Sequence, residues 1–202
     1  AMGTLAVELV GALLLSFSFV PRFGLLKGIY FSFFHSVSAF CNGGFDLMGG
    51  TTGEFSSLTG SGGDWYVGTV IMLLIFLGGL GFFVWHDVIE HRFRFRRFRL
   101  QSKMVLAISL GLVAAGALTL AVLEWNGGLY EGLSWGERIH ASLFQSVSLR
   151  TAGFNTVDLG AMTEGAQFVM ICLMLIGGST GSTAGGIKTT TFWGLCISIF
   201  AT

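Results

Sequence analysis

The chain has 202 residues, of which 52% are apolar and only 11% are charged, and its formal net charge is zero. A soluble domain carries about 25% charged residues, so this composition excludes an ordinary soluble protein and argues against nucleic-acid binding. The 31 glycines are typical of closely packed membrane helices. We therefore expect an all-α polytopic membrane protein in contact with the lipid bilayer.

Four long apolar stretches follow one another along the chain. They cover residues 4–20, which stop at Pro21, and then residues 66–85, 104–123 and 166–200. A helix needs about 20 apolar residues to cross the hydrocarbon core, so each stretch predicts a membrane-spanning helix. The last stretch contains a large polar interruption.

Two shorter segments lie between these stretches, at residues 28–40 and 137–149. About 12 residues make a helix of about 18 Å, which is too short to cross a core of about 30 Å. Each segment is therefore predicted to enter the membrane and return on the same side.

The two short segments carry a sequence repeat. Phe34-His35-Ser36-Val37-Ser38 returns 110 positions later as Phe144-Gln145-Ser146-Val147-Ser148, and each copy runs into a glycine-containing turn. The pattern predicts two tandem repeats of helix, re-entrant pore helix, filter loop and helix around a shared pore. We expect one repeat at residues 1–90, a linker at 91–103 and the second repeat at 104–202.

Basic residues are concentrated in the linker. Six of the 11 Lys and Arg residues lie between positions 92 and 103, and the positive-inside tendency places this segment in the cytoplasm. The pore loops then open outward from the cell membrane. Seven acidic residues would face the outer mouth and attract cations, against four basic ones. They are Asp46, Glu54, Asp64, Glu131, Glu137, Asp158 and Glu164, against Arg22, Lys27, Arg138 and Arg150.

The glycine-containing turns are the predicted selectivity filter, and we call them the filter loops. A dehydrated monovalent cation needs oxygen ligands, which backbone carbonyls supply without a charge that would hold the ion too tightly. The second turn has the order hydroxyl, small residue, Gly, aromatic, which parallels the Thr-Val-Gly-Tyr part of potassium-channel filters. We expect a K⁺ site at the backbone carbonyls of Asn42, Gly43, Gly44 and Phe45 and of Thr151, Ala152, Gly153 and Phe154.

Two features should support this filter. Gly44 and Gly153 are expected at positive φ, which would turn successive carbonyls toward one axis. Phe45 and Phe154 are expected to pack outward and brace the loops. The C-terminal ends of the pore helices would add partial negative charge for a cation.

The polar interruption in the last apolar stretch is predicted to be an intramembrane loop that acts as a gate. Its helix propensity is too low for a regular helix, and irregular backbone at membrane depth is tolerated where it is buried in protein or lines a cavity. The gate residues are Gly177, Gly178, Ser179, Thr180, Gly181, Ser182, Thr183, Ala184, Gly185, Gly186 and Lys188. Lys188 either extends to the membrane surface or faces the pore. The corresponding Leu77-Gly78-Gly79 of the first repeat returns at once to apolar residues.

No residue pattern indicates an enzyme, a cofactor or a protein metal site. Gly181 to Thr189 is one residue out of frame with a phosphate-binding loop, and no strand precedes it. Cys41, Cys172 and Cys196 lack metal-ligand spacing. His35 has no second ligand nearby in the sequence, so a packed or hydrogen-bonded role is expected.

In these motifs the chain resembles the Ktr/Trk/HKT superfamily of potassium transporters, and most of all the Ktr-type membrane subunit. Ser36 to Asp46 is similar to the family's second pore loop, Arg150 to Thr156 to its third, and Gly177 to Lys188 to its intramembrane loop. The resemblance implies four helix–pore–helix repeats around one potassium pathway, a gating role for the loop, and a cytosolic nucleotide-binding regulatory subunit as partner.

The chain departs from that family pattern because it contains the second and third repeats alone. Two quadrants cannot close a filter, so either the chain is a fragment of a longer protein that supplies the other two repeats, or two copies assemble as a homodimer. The resemblance favours the fragment. Gly43 stands where alanine is commoner in the family, which costs rigidity but keeps the carbonyl.

The sequence thus predicts potassium uptake across the plasma membrane through a carbonyl-lined filter gated by a glycine-rich loop. Sodium is a candidate coupling ion. The alternative is a non-transporting membrane assembly module that uses its glycine-rich faces for helix packing.

Overall fold

The structure, a computed structural model, describes residues 2–53, 57–61, 64–92, 94–125, 127–130 and 132–200. In this part of the chain the regular structure is helical, apart from one isolated β-bridge, which confirms the predicted all-α class. The α-helices are α1 (Met2–Phe23), α2 (Leu25–Phe40), α3 (Gly49–Thr52), α4 (Trp65–Leu80), α5 (Phe82–Glu90), α6 (Leu100–Glu124), α7 (Trp135–Ser148), α8 (Glu164–Leu175) and α9 (Thr189–Phe200). Below, the N-terminal half means residues 2–92 and the C-terminal half residues 94–200.

The first helix is longer than the sequence predicts. Pro21 lies inside the last turn of α1 rather than after its end, where its missing N–H removes a single helical hydrogen bond. The helix ends at Gly24 instead, whose N–H donates to Val20 O at 3.0 Å and whose φ is 81°. Glycine adopts this left-handed conformation at little cost, so it is a good helix terminator.

The two pore helices are short, as predicted. Helix α2 has 16 residues and α7 has 14, which correspond to about 24 and 21 Å and fall below the thickness of the hydrocarbon core. Helix α7 begins with a capping box in which Ser134 and Glu137 satisfy each other's backbone N–H groups. Helix α2 starts at Gly24, where no side chain caps it.

The predicted span 66–85 is not one straight helix. Helices α4 and α5 meet at Gly81 with a bend of 93°. Gly81 has a φ of 84°, and a Cβ added to it would lie 2.7 Å from Ser179 Oγ and 2.8 Å from Thr180 O. The break therefore makes room for the intramembrane loop, and the apolar composition of the segment carries no sign of it.

The third and fourth predicted stretches differ from each other. Helix α6 runs unbroken from Leu100 to Glu124, as expected for residues 104–123. The stretch 166–200 is divided into α8 and α9, and the segment between them is not helical, as predicted. Among the described residues, α1 and α6 are each long and apolar enough to cross a membrane, and the bent pair α4 and α5 would add a third span.

The same side chain fixes each pore helix to the helix that precedes it. Ser36 Oγ of α2 donates to Glu8 O of α1 at 2.7 Å, and Ser146 Oγ of α7 donates to Val113 O of α6 at 2.8 Å. The largest apolar core joins the two halves across the pore helices. Its buried members are Leu15, Phe19, Phe31, Ala39, Met48, Leu58, Val67, Val70, Ile71, Met72, Leu74, Ile75, Val113, Phe144, Val147, Ala152 and Phe154.

Candidate functional site

The filter loops begin directly after the pore helices, which end at Phe40 and Ser148. Gly44 has a φ of 70° and Gly153 a φ of 84°, which confirms the predicted left-handed backbone at both positions. The first residue of each loop, Asn42 at 51° and Thr151 at 66°, is also left-handed. In both loops, therefore, the first and third residues have positive φ and the second and fourth do not.

The two filter loops contact each other through their backbones. A Cβ added to Gly44 would lie 2.4 Å from Ala152 O and 2.9 Å from Gly153 Cα. A Cβ added to Gly153 would lie 3.3 Å from Gly44 Cα. A side chain has no room at Gly44 and little at Gly153, so main-chain atoms form the contact between the two filter loops.

The first three carbonyl oxygens of each filter loop have no hydrogen-bond donor among the described residues. Within the described part of the chain, no hydrogen bond engages the backbone oxygens of residues 42–44 or 151–153. A backbone carbonyl that is removed from bulk water needs a hydrogen-bond donor or a cation as its partner, and few donors are available at membrane depth. Within the described residues, these six oxygens therefore remain unoccupied by hydrogen bonds.

The last carbonyl of each loop is different. Ser38 Oγ donates to Phe45 O at 2.7 Å, and Ser148 Oγ donates to Phe154 O. The two serines occupy matching positions of the sequence repeat, so the same hydrogen bond anchors the end of each filter loop to its own pore helix.

The aromatic side chains of the loops do not behave alike. Phe154 is fully buried and packs in the main core, as predicted for a brace. Phe45 is 72% exposed, so the prediction that it packs outward and braces its loop is wrong for the described residues. The side chain of His35 lies beneath Phe154, with 6.4 Å between ring centroids.

His35 is a packed, hydrogen-bonded residue, as the sequence suggested. Its side chain is fully buried, Nδ1 lies 2.7 Å from Phe31 O, and Nε2 lies 3.4 Å from the Leu47 N–H. A neutral ring can donate through Nδ1 and accept through Nε2. Both ring nitrogens are thereby occupied in holding the filter hairpin.

The intramembrane loop is closed at its base by backbone hydrogen bonds. Gly177 N donates to Ile187 O at 3.0 Å, Ile187 N donates to Leu175 O at 3.0 Å, and Thr189 N donates to Gly178 O at 3.1 Å. The isolated bridge between Ile176 and Ile187 belongs to this closure. The loop is thus a defined structure between α8 and α9 and not a loose connection.

The N-terminal half holds the same loop from the other side. Ser179 N donates to Gly79 O at 3.0 Å, and Phe82 N donates to Gly181 O at 3.1 Å. Thr183 Oγ1 donates to Phe40 O, the end of the first pore helix, at 3.0 Å. The loop therefore spans from the broken helix α4–α5 to the filter region.

Lys188 is held against the intramembrane loop, and whether it faces the membrane surface or the pore stays a prediction. It is half-buried, and Nζ donates to Ala184 O at 2.5 Å. The lysine side chain folds back onto the loop and adds a positive charge to its lower edge.

Arg150 was predicted to face the outer mouth, and that prediction is wrong. Its side chain is 8% exposed, and Nη2 donates to Gly177 O at 3.0 Å. The guanidinium group points from the start of the filter loop toward the intramembrane loop, where Gly177 O accepts its hydrogen bond.

The other predicted mouth residues are largely engaged at helix starts. Asp64 caps α4 and pairs with Arg22 at 2.5 Å, and Glu137 completes the capping box of α7. Asp158 caps a short 3-10 turn. Glu54 and Glu131 lie outside the described residues. The electrostatic effect of this acidic set on cations stays a prediction.

Comparison with known proteins decides the family. Residues 4–200 match the family model described as "TrkH: Cation transport protein". The chain belongs to the TrkH family. It is 40% identical over 195 residues to the potassium/sodium uptake protein NtpJ of Enterococcus hirae, covering 96% of this chain and 42% of that protein. It is 41% identical over 199 residues to the Ktr system potassium uptake protein B of Bacillus subtilis, covering 98% of this chain and 43% of that protein.

A solved structure of the TrkH family has the same fold. The crystal structure of the potassium transporter TrkH from Vibrio parahaemolyticus superposes with a TM-score of 0.73 at 20% identity, covering 95% of this chain and 38% of that one. The chain thus spans about two fifths of the length of the relatives it matches. The family membership and the apolar helices identify a membrane protein. The relatives are named as uptake proteins rather than enzymes, which supports the prediction that this TrkH-family chain is not an enzyme.

Sequence reasoning missed three features of this TrkH-family site. The left-handed Thr151 is unexpected because a β-branched residue disfavours that conformation. The break at Gly81 could have been suspected from the cluster Gly78-Gly79-Leu80-Gly81. The sequence contained one indication that Arg150 points inward. An arginine in a segment of apolar and small residues at membrane depth is rarely left unpaired.

Proposed function

We propose that the chain forms two of the four quadrants of a potassium uptake pathway, with the filter loops as the selectivity filter and the intramembrane loop as its gate. The observation that carries this proposal is that six backbone carbonyls, at residues 42–44 and 151–153, accept no hydrogen bond in the described part of the chain. Backbone carbonyl oxygens are suitable ligands for a dehydrated K⁺ ion.

The symmetry of the anchors supports a shared axis. Each half uses the same serine to fix the end of its filter loop, and the two loops contact through Gly44 and Gly153. Two such quadrants leave the ring open, so the other two come from the remainder of a longer polypeptide or, as the alternative, from a second copy in a homodimer.

The repeat organisation, topology and partners form part of the same proposal. We assign one pore repeat to residues 1–90, the cytoplasmic linker to 91–103 and the other pore repeat to 104–202 in the plasma membrane, with the pore loops open to the outside. The linker is tied to α5 because Arg99 N donates to Asp87 Oδ2 at 2.9 Å, while Arg94, Arg96 and Arg97 are exposed. Such a fixed basic surface suits a cytosolic nucleotide-binding regulatory subunit. Sodium is a candidate coupled ion, as the name of the Enterococcus relative mentions both ions.

Uptake of K⁺ or Rb⁺ by a host that lacks its own potassium uptake tests the proposal, with the protein expressed at its natural full length. We expect saturable uptake, and deletion of residues 177–186 should raise the maximal velocity per amount of membrane protein, because the barrier below the filter is removed. Absence of any flux from a well-expressed protein would favour the assembly module. A maximal velocity at or below that of the wild type in a well-expressed deletion would rule out the gate.

A further inference from the structure

Arg150 connects the second filter loop to the first residue of the intramembrane loop. Nη2 donates to Gly177 O at 3.0 Å, and the side chain is 8% exposed. Nε of the same guanidinium group is buried and has no hydrogen-bond partner among the described residues. A buried charge is costly unless it is paired, so the bond to Gly177 O contributes strongly to keeping the loop and the arginine together.

Thr151 connects the same filter loop to the other end of the intramembrane loop. Its Oγ1 accepts a hydrogen bond from Gly185 N at 2.9 Å. Thr151 also has a φ of 66°, which is unfavourable for a β-branched residue, whereas the equivalent Asn42 belongs to a type that tolerates this region. The bond from Gly185 therefore helps to hold Thr151 in a conformation that its side chain does not prefer.

Together, these two contacts join the start of the second filter loop to both ends of the intramembrane loop. Two consecutive residues bind the beginning and the end of the intramembrane loop, and Thr151 is itself the first residue of the filter loop. Among the described residues, the equivalent Cys41 and Asn42 of the N-terminal half make no such contact with the loop. That half contacts the loop through backbone groups instead, among them Phe40 O, Gly79 O and Phe82 N. The link is a property of the C-terminal half.

We infer that Arg150 and Thr151 are positioning residues that couple the intramembrane loop to the filter. The inference rests on the proposed function and extends it: the loop in its closed position stabilises the left-handed Thr151, and the filter conformation in turn stabilises the closed loop. Such coupling is reciprocal, because two linked equilibria affect each other by the same factor. Release of either contact favours the open loop and loosens the filter.

The coupling predicts that each of two substitutions changes both the maximal velocity and the KM of K⁺ uptake. Arg150→Gln removes the charge that strengthens the bond to Gly177 O, and Thr151→Val removes the acceptor for Gly185 N while keeping the shape of the side chain. Each should raise the maximal velocity of K⁺ uptake by about two- to tenfold, the range that one lost hydrogen bond supports. Each should also raise the KM for K⁺, because the filter is less ordered.

The experiment compares these variants in the full-length protein with and without residues 177–186. Thr151→Ser keeps the acceptor and should change the kinetics less than Thr151→Val. Arg138→Gln is the matched control, because Arg138 lies on α7, the pore helix that precedes Arg150, but donates to Leu133 O and Trp125 O and not to the intramembrane loop. Membrane protein is quantified for every variant, and Thr151→Ala replaces Thr151→Val if the latter does not accumulate.

The expected result is that Arg150→Gln and Thr151→Val alter both constants in the intact protein and alter them much less once the loop is deleted. Equal effects in both backgrounds would overturn the coupling, because the residues would then act on the filter directly. Unchanged kinetics of both variants beside a faster deletion would also overturn it and leave the gate intact. If the deletion itself is not faster, the gate fails, and the coupling fails with it.

Discussion

The two halves of the chain build the same filter hairpin and then diverge in the helix that follows it. Each pore helix is fixed by one serine to the preceding helix and by another to the end of its filter loop. After the filter, the N-terminal half continues as the bent pair α4 and α5, whereas the C-terminal half continues as α8, a loop and α9. The part that would contact the ion is duplicated, and the part below it is specialised.

The divergence starts from equivalent glycines. A Cβ added to Gly78 would lie 1.9 Å from Phe40 O, the last carbonyl of the first pore helix. A Cβ added to Gly177 would lie 1.8 Å from Gly185 O, within the intramembrane loop itself. Gly78 therefore allows close helix packing in the N-terminal half, and the equivalent Gly177 allows the loop to close in the C-terminal half. Equivalent glycines thus contact different parts of the protein where one of the two helices is broken.

The largest effect should come from Gly78→Ala, because the new methyl group meets backbone that cannot rotate away. The cost is at or above the upper end of usual overpacking penalties, about 3 kcal/mol. We expect a severe loss of folded protein in the membrane, measured by size-exclusion chromatography in detergent. Gly177→Ala should retain more folded protein and instead change the maximal velocity of uptake, because the loop can rearrange.

Gly111→Ala is the control for both substitutions, since no atom lies within 4 Å of a Cβ at that exposed position of α6. Equal losses of folded protein for Gly78→Ala and Gly177→Ala would contradict the division of roles between the two halves.

Substitutions in the filter loops should have a smaller effect than Gly78→Ala, and the equivalent Gly44 and Gly153 allow the two halves to be compared directly. Serine at either position meets backbone strain of about 1–3 kcal/mol because φ is positive. Gly44→Ser additionally brings Cβ within 2.4 Å of Ala152 O, while Gly153→Ser approaches Gly44 Cα at 3.3 Å. Both should lower the ratio of K⁺ to Na⁺ uptake, and Gly44→Ser should lower it more.

Gly43→Ala completes the filter series, since its Cβ would meet the nearest atoms at an ordinary 3.5 Å and its φ is not positive. It should change the uptake ratio least of the three. A ratio that stays at the wild-type value in Gly153→Ser and Gly44→Ser, with normal protein levels, would remove the carbonyl ring as the source of selectivity.

Much of this fold could be predicted because it depends on local patterns. The length of the apolar runs identified α1 and α6 as helices long enough to span, and the repeated Phe-x-Ser-Val-Ser motif marked the two pore helices. The two positive-φ glycines followed from the geometry that a turn of carbonyls requires. These are properties of neighbouring residues, which the sequence displays directly.

The remainder depends on contacts between distant residues. The bend at Gly81 arises because Ser179 and Gly181, about 100 positions away, occupy the space beside it. Arg150 points inward because Gly177 O accepts its bond. Pairings of this kind follow from tertiary packing, which overrides local preference. The glycine cluster before Gly81 and the isolated Arg150 could have raised suspicion, but the sequence does not show which distant residue each one contacts.

The smallest effect tests whether the duplicated anchors are energetically equal. Ser36→Ala and Ser146→Ala each remove one buried hydrogen bond, of 2.7 and 2.8 Å, to the preceding helix. Each should lower the free energy of unfolding by about 1 kcal/mol, observed as matching decreases in Tm in detergent. Loss of stability in one variant alone would show that the two hairpins resemble each other in geometry but not in energy.

A double-mutant cycle makes this comparison specific to the contact. A Cβ added to Gly11 would lie 2.4 Å from Ser36 Oγ, and a Cβ added to Gly116 would lie 2.4 Å from Ser146 Oγ. Gly11→Ala and Gly116→Ala should therefore destabilise the wild type but cost less when the facing serine is already alanine, because the obstructing oxygen is gone. If the two halves pack in the same way, the glycine and serine substitutions have coupling energies of similar size in both halves. A coupling energy near zero in one half would show that the serine contact is not the reason why that half requires glycine.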